Sequence, residues 1–262
     1  MDTTDLYTDD YVSSNYEDLD GLRRSFERVI GLEPSLSDNE GRILRVSKFG
    51  EENLADRSNP PTILDVGSGL CVFLHGMKKI GWNCTALDPD MRSIVNARDF
   101  VGVRAIHGDF MEAEDLGFDL VGIPDSQSVY RENIVSSTLV ATHTERVRFG
   151  PMVTNPITRH PAVTASSIAT LAELAPGRVI WGVGSGASAV HNLGLRPAKM
   201  VELREYVTTI RELLLGGESV YQGNPVRLAW KPPYVPIYIA VMGPRTMELA
   251  GEIADGVIIL NG

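Results

Sequence analysis

Short apolar runs alternate with amphipathic stretches along most of this 262-residue chain. Apolar runs that end in glycine, proline or aspartate are typical of buried parallel strands. The stretches between them carry apolar residues at helical spacing. Strands that alternate with helices in this way predict an α/β fold with right-handed crossovers and parallel strands throughout.

The boundaries of these elements follow from the same pattern. The predicted strands are 62–67, 83–88, 103–109, 118–123, 147–153, 179–184, 236–241 and 255–260. The predicted helices are 22–32, 41–49, 72–80, 91–99, 134–142, 161–174, 197–215 and 244–254. Residues 1–20 have no apolar period, and their polar composition fits a disordered arm and a lid equally well.

The stretch from Gly117 to Asp125 joins two different patterns. Taken together with the elements that precede them, residues 118–121 fit the fourth strand of a nucleotide-binding α/β domain. Taken together with the elements that follow them, the same residues fit the second strand of a (β/α)₈ barrel. The sequence therefore predicts two domains, 1–116 and 117–262.

The charge distribution supports two parts. The net charge is −10, and residues 1–115 hold 22 acidic and 12 basic residues. Residues 116–262 hold 12 of each kind, so the charge imbalance belongs to the first part. An acidic chain without a basic stripe argues against nucleic-acid binding.

Composition narrows the class of protein further. Hydrophobic residues at 43% and charged residues at 22% are ordinary for a soluble globular protein. No apolar run is long enough to span a membrane, and the acidic start is unlike a secretory signal, so we expect a cytoplasmic protein. Cys71 and Cys84 are predicted to be reduced core residues. The five histidines form no cluster, and no metal site is predicted.

The first part carries a glycine turn between a predicted strand and a helix. Gly67 and Gly69 let a ligand approach the backbone closely, with amide N–H groups facing it. Asp88 ends the next predicted strand, about 20 residues further on, where a carboxylate is suited to the hydroxyls of a ribose. Asp109 ends the third predicted strand and is suited to accept a hydrogen bond from an adenine amino group.

Through the motifs 63–69, 86–90 and 108–110, residues 1–119 resemble the front half of a class I methyltransferase that uses S-adenosylmethionine. The resemblance implies a Rossmann-like half domain. It also implies that the glycine turn lies along the methionine part of the cofactor, Asp88 holds the ribose and Asp109 meets the adenine, with Asp65 supporting the turn. The alternative is that Asp65 and Asp88 only cap their strands.

The second part carries four distinctive segments, 144–156, 159–161, 171–186 and 239–245. Through them, residues 114–262 resemble the bacterial-luciferase-like superfamily of monooxygenases and reductases, in particular the branch that includes methylenetetrahydromethanopterin reductase. The resemblance implies an incomplete TIM barrel that lacks its first and last strands. It implies coenzyme F420 or FMN as the cofactor.

In such barrels the active site lies at the C-terminal ends of the strands. Thr154 and Asn155 would meet the ring, and two glycine loops would cradle the phosphate side. The cofactor-binding residues implied by the resemblance are Asp125, Ser126, Thr154, Asn155, Gly184, Gly186, Gly243 and Pro244. The resemblance also implies a cis peptide within 150–153. The alternative for Asn155 is a turn with Pro156 and no ligand contact.

Three functions follow from the two halves. The first is a flavin- or deazaflavin-dependent oxidoreductase that carries out hydride transfer or monooxygenation on a small molecule. The second is S-adenosylmethionine binding or methyl transfer, and the third is a fusion product without catalysis. No catalytic residue is assigned, because hydride transfer depends on positioning more than on proton chemistry. A homo-oligomer is an open alternative.

Overall fold

The computed structural model describes residues 16–33, 37–54, 59–127 and 129–259. Most of the predicted N-terminal arm and the last residue of the final predicted strand lie outside these ranges. The chain divides into two compact units, one up to Ala113 and one beginning at Glu114. The functional domains predicted at 1–116 and 117–262 stay a prediction.

Unit 1 contains three parallel strands and four helices within its described residues. The strands are β1 (Thr62–Val66), β2 (Asn83–Asp88) and β3 (Arg104–His107). The helices are α1 (Leu19–Ile30), α2 (Asp38–Asn53), α3 (Val72–Lys79) and α4 (Met91–Val95), the last continuing into a π-helical turn, Asn96–Val101.

The core of unit 1 forms where α1 and α2 meet α3. Phe26 of α1 and Ile43 of α2 pack with Leu74 and Met77 of α3, and all four side chains are buried. The strands follow the order β1-β2-β3 and pair in parallel. That order occurs in a doubly wound sheet and in a barrel alike, so it does not distinguish them. The Rossmann-like half domain therefore stays a prediction.

Unit 2 is also an α/β unit, and α5 (Phe110–Asp115) spans the division between the units. Its parallel strands are β4 (Leu120–Ile123), β5 (Arg148–Pro151), β6 (Trp181–Val183), β9 (Ile237–Val241) and β10 (Gly256–Ile259). Its further helices are α6 (Asn133–His143), α7 (Pro161–Leu174), α8 (Ser188–His191), α9 (Met200–Gly216) and α10 (Pro244–Ile253).

These five strands follow one another in chain order. β4 pairs with β5, and β6 pairs with β9, which pairs with β10, all in parallel. Parallel bridges between Phe149 and Val179 and between Thr154 and Val183 join β5 to β6. Because a helix connects each strand to the next, the arrangement is that of consecutive units of a (β/α) barrel. The strand at the junction of the two sequence patterns, β4, pairs within unit 2.

The prediction of parallel strands throughout is wrong for one segment. Between α9 and β9 the chain forms an antiparallel hairpin of β7 (Glu218–Tyr221) and β8 (Asn224–Arg227). Gln222 and Gly223 form its turn with φ values of 50° and 79°, as the tight two-residue turns of hairpins require. Glycine adopts a positive φ readily, but a glutamine in the sequence gives no sign of one. The hydrophobic pattern therefore predicted no hairpin here.

The core of unit 2 lies between the strands and the helices. Trp181 of β6, Phe149 of β5, Ile168 of α7 and Tyr206 of α9 are fully buried. The Tyr206 hydroxyl lies 2.7 Å from the Thr164 hydroxyl, so this polar group is satisfied inside the core. Across the described residues, no helix is long and apolar enough to cross a membrane.

Candidate functional site

A cavity of about 270 Å³ lies in unit 2, where four parallel strands end. Pro124 and Asp125 follow β4, Met152 and Val153 follow β5, and Met242 follows β9. The loop after β6 and the first two residues of α8 contribute residues 184–189. The carboxyl ends of parallel strands meet at one edge of the sheet, and for this reason residues distant in the chain share one wall.

Asp125 brings a buried carboxyl group to this wall. Its Oδ2 atom is buried and has no hydrogen-bond partner within the protein. Burial raises the pKa of the carboxyl group, while the nearby Arg159 acts in the opposite direction and Glu132 reinforces the rise. A group of this kind accepts a hydrogen bond from a ligand when ionised, or donates one when protonated.

Two hydrogen bonds connect the loop after β4 with the first residues of α8, the short helix that follows β6. The Ser126 Oγ atom lies 2.5 Å from the Ser188 Oγ atom. The Gln127 Nε2 atom donates to the Ala189 carbonyl oxygen at 2.8 Å. The two segments, which both line the cavity, are therefore held to each other.

Asn155 lines the cavity and also forms a turn. Its Oδ1 atom accepts hydrogen bonds from the backbone N–H groups of Ile157 and Thr158, both at 3.0 Å. The side chain is 2% exposed. The turn role that the sequence left open for Asn155 is thus present, and the residue still contributes to the wall.

Thr154, by contrast, lies behind the wall. It is 2% exposed, and its hydroxyl accepts a hydrogen bond from the Trp181 indole N–H at 3.1 Å. Gly243 and Pro244 do not line the cavity either, although Met242 and Thr246 on the same turn do. Ligand contact by Thr154, Gly243 and Pro244 stays a prediction.

The glycine loop after β6 makes room that a side chain would fill. A Cβ atom on Gly184 would lie 3.2 Å from Val153 and 3.4 Å from Ala240. Gly186 has a φ of 99°, and a Cβ atom there would lie 2.4 Å from Val190. On the neighbouring strand, the peptide bond between Met152 and Val153 is cis, within the range implied by the resemblance.

Comparison with known proteins identifies the family. A model of the family described as luciferase-like monooxygenase matches residues 104–262. The chain belongs to this family. The resemblance of residues 114–262 to luciferase-like proteins is therefore confirmed, and the matched region begins at β3.

Relatives of the luciferase-like chain include F420-dependent enzymes. The 5,10-methylenetetrahydromethanopterin reductase of Archaeoglobus fulgidus is 39% identical over 155 residues, which cover 56% of this chain and 46% of the relative. The F420-dependent glucose-6-phosphate dehydrogenase of Nakamurella multipartita is 36% identical over 169 residues, covering 57% and 50%.

One solved structure is similar over the same share of the luciferase-like chain. The coenzyme F420 dependent tetrahydromethanopterin reductase from Methanopyrus kandleri is 31% identical, with a TM-score of 0.48, and the match covers 56% of this chain and 49% of that one. The chain spans about half the length of the curated relatives it matches.

Several cavity residues of this luciferase-like unit were missed by the sequence analysis. They are Gln127, whose amide holds the wall, and Tyr130, Met152, Ser185, Ser188, Met242 and Thr246, which line it. The segment after β6 is rich in small residues, a feature typical of close ligand approach, and this feature could have led to Ser185 and Ser188. Gln127 and Met242 carry no comparable sequence feature.

In unit 1, the structure brings the predicted glycine turn and Asp88 together. The Asp88 carboxylate accepts the backbone N–H of Gly69 at 2.8 Å and that of Asp90 at 2.9 Å. Asp88 is 4% exposed, and burial raises its pKa to about 6 against the opposing effect of these two hydrogen bonds. Gly67 and Gly69 have φ values of 71° and 48°, the left-handed region that glycine tolerates.

The other two predicted residues of unit 1, Asp65 and Asp109, lie on β1 and just after β3. Burial raises the pKa of Asp65, on β1, and the charge of Arg42 opposes the rise. Asp109 follows β3, and its backbone N–H donates to the Glu112 carboxylate at 2.7 Å. Contact of Asp65, Asp88 and Asp109 with S-adenosylmethionine stays a prediction.

Proposed function

We propose that the chain is a flavin- or deazaflavin-dependent oxidoreductase that acts on a small molecule by hydride transfer or monooxygenation. The observation that carries this proposal is the cavity at the carboxyl ends of β4, β5, β6 and β9. It combines apolar walls with a few polar groups, as sites for flat organic cofactors do. The F420-dependent relatives support the same chemical class.

The residues of the cavity fit a flat ring with one polar edge. Gly184 leaves space beside Val153 and Ala240 that any side chain would narrow. Asp125, which lines the cavity, provides a polar group for that edge. A bound flavin or deazaflavin ring supplies the donor or acceptor of the hydride.

The protein's own contribution is the positioning of the ring. Met152 and Val153 line one side of the cavity, and Ala240 and Met242 line another. Apolar walls of this kind orient a ring by contact. Asp125 fixes the orientation of the ring edge within these walls.

A fluorescence titration of the purified chain with oxidised coenzyme F420, and separately with FMN, tests the proposal. We expect saturable binding with Kd about 1 μM or tighter, which is about −8 kcal/mol. The variant Asp125→Asn should bind about tenfold more weakly. Asp119→Asn, which removes an exposed carboxylate in the same unit, is the matched control. A folded chain that binds neither cofactor would contradict the proposal.

Unit 1 carries a second candidate function, S-adenosylmethionine binding. It is supported by the hydrogen bond that joins Gly69 to Asp88, the two positions that the methyltransferase resemblance pairs. A carboxylate has about four lone-pair positions, so Asp88 can accept ribose hydroxyls in addition to its two backbone partners. Titration with S-adenosylhomocysteine tests this, and Asp88→Asn should abolish any binding.

The remaining predictions from the sequence concern the setting of the protein. A cytoplasmic location and a homo-oligomer stay predictions, as does a fusion product without catalysis. The two titrations separate that last alternative from the others, because a non-catalytic fusion is expected to bind neither kind of ligand.

A further inference from the structure

Two side-chain hydrogen bonds at the cavity join segments that follow two non-adjacent strands. Ser126 and Gln127 follow β4, whereas their partners Ser188 and Ala189 follow β6. In the sheet, β5 lies between these two strands. We call Ser126, Gln127, Ser188 and Ala189 the clasp. It joins the loop after β4 to the start of α8, which ends the loop after β6. The strands β4 and β6 are not adjacent, so no backbone pairing between them holds these two segments together.

The clasp lies on the wall of the cavity. Ser126, Ser188 and Ala189 line it, and Ser126 is 8% exposed. Asp125, with its unpartnered Oδ2 atom, immediately precedes Ser126. A displacement of Ser126 would therefore also displace Asp125, which lines the same cavity.

Each of the two loops is also fixed at its root. The Asn133 Nδ2 atom donates to the carbonyl oxygens of Ile123 at 2.6 Å and Pro124 at 3.0 Å. The Ala198 N–H donates to the Ser185 carbonyl oxygen at 2.8 Å. The roots hold each loop to its own part of the fold, and the clasp holds the loops to each other.

The physical effect of such a link is preorganisation. Loop residues without regular backbone pairing lose conformational entropy when a ligand orders them. Bonds that are already formed reduce this cost before the ligand arrives. A pair of hydroxyl groups has one further property: one donates to the other, and the accepting hydroxyl keeps its own proton for a third group.

We propose that Ser126, Gln127 and Ser188 are positioning residues, which hold the loops after β4 and β6 in the geometry that a bound flavin or deazaflavin ring requires. This inference rests on the proposed function. The two serines act through each other, and the removal of either hydroxyl removes the same link. The effects of Ser126→Ala and Ser188→Ala on affinity are therefore not additive.

The first experiment measures the affinity for oxidised coenzyme F420 and for FMN in two variants of nearly equal shape. Ser188→Val removes the hydroxyl and should weaken binding about tenfold, whereas Ser188→Thr keeps it and should stay within about twofold of the unaltered chain. Ser167→Ala, which removes a hydroxyl bonded only within α7, is the control. The double variant Ser126→Ala/Ser188→Ala should bind no more weakly than the weaker single variant.

The second experiment needs no ligand. Hydrogen exchange of the backbone amides of residues 185–192 should accelerate in Ser188→Val and not in Ser188→Thr, with β9 unchanged in both. Equal affinities for Ser188→Val and Ser188→Thr, fully additive alanine effects, or unchanged exchange would each overturn the inference. If the unaltered chain binds neither cofactor, the proposed function fails instead, and the exchange result still decides whether the clasp holds the loop.

Discussion

The Trp181 indole donates a hydrogen bond to the Thr154 hydroxyl at 3.1 Å, and both side chains are buried. This bond crosses from β6 to the segment after β5, where only isolated bridges pair the backbone. It explains why Thr154 faces away from the cavity wall. The threonine hydroxyl satisfies an indole N–H that would otherwise be buried without an acceptor.

Thr154→Val is accordingly expected to lower the free energy of unfolding of unit 2 by about 1–3 kcal/mol, since it leaves the Trp181 N–H unsatisfied. Thr154→Ser keeps the acceptor and should cost less. Urea unfolding followed by the fluorescence of Trp181 and Trp230, in a Trp82→Phe background, measures both. A larger loss for Ser than for Val would show that the methyl group, and not the hydrogen bond, carries the effect.

A second prediction concerns the close approach of β5 and β6. A Cβ atom on Gly150 would lie 1.7 Å from the Ile180 carbonyl oxygen, a backbone atom that cannot move away alone. Gly150→Ala should therefore force the two strands apart and destabilise unit 2 by more than about 3 kcal/mol.

The control for Gly150→Ala is a glycine in open surroundings. Gly251, in α10, would place its Cβ atom near no other atom. Gly251→Ala should therefore stabilise the unit by about 0.5–1 kcal/mol, because alanine is the better helix former. Thermal unfolding of the two variants should shift in opposite directions, and a shift in the same direction would contradict the steric argument.

The Glu114 carboxylate stabilises the turn between α6 and β5 through hydrogen bonds to its backbone. It accepts backbone N–H groups from Glu145 at 2.9 Å, Arg146 at 2.7 Å and Val147 at 2.6 Å. These bonds favour the charged form, and they lower the pKa of Glu114 from its ordinary value of 4.5 to about 2. The resulting stabilisation is fully present above pH 4.5 and is lost as the pH falls towards 2.

Glu114→Gln should remove this pH-dependent part of the stability. The difference in urea midpoint from the unaltered chain should be present at pH 6 and should shrink steadily between about pH 4.5 and 2. Glu173→Gln, on the exposed side of α7, should show no such trend. A difference that stayed constant down to pH 2 would mean that the charge of Glu114 is not what holds the turn.

The sequence was sufficient for the alternating parallel strands and long helices, but not for the hairpin or for the contacts between loops. Residues 161–174 were predicted as a helix and form one with the same bounds, since Pro161 starts it and its apolar stripe is continuous. The hairpin at 218–227 was missed because its residues are at most partly buried, so the strands carry no clear apolar pattern. In addition, Gln222 is not a residue that indicates a tight turn. The clasp was missed for a different reason. Ser126 and Ser188 are 62 residues apart in the chain, and only the fold brings them together.

The last prediction concerns the pH dependence of unit 1. Burial raises the pKa of Asp88 from its ordinary value of 3.8 to about 6, so the folded unit binds this proton more tightly than the unfolded chain does. The free energy of unfolding should therefore fall as the pH rises from about 4 to 6 and level off above 6. Burial raises the pKa of Asp65 as well and adds to the same trend.

Asp88→Asn should make this decline smaller, because the amide carries no charge to bury. The amide also has a single acceptor oxygen, so the N–H of Gly69 or of Asp90 loses its partner, at a cost on the order of 1 kcal/mol. Hydrogen exchange of the β1 and β2 amides between pH 4 and 8, corrected for intrinsic rates, measures both effects. Asp20→Asn, which alters an exposed carboxylate of the same unit, is the control. If the decline were as large in Asp88→Asn as in the unaltered chain, the decline would be due to Asp65. Asp88 would then be ionised in the folded unit over this pH range, and its carboxylate would be available to accept a hydrogen bond from a ribose.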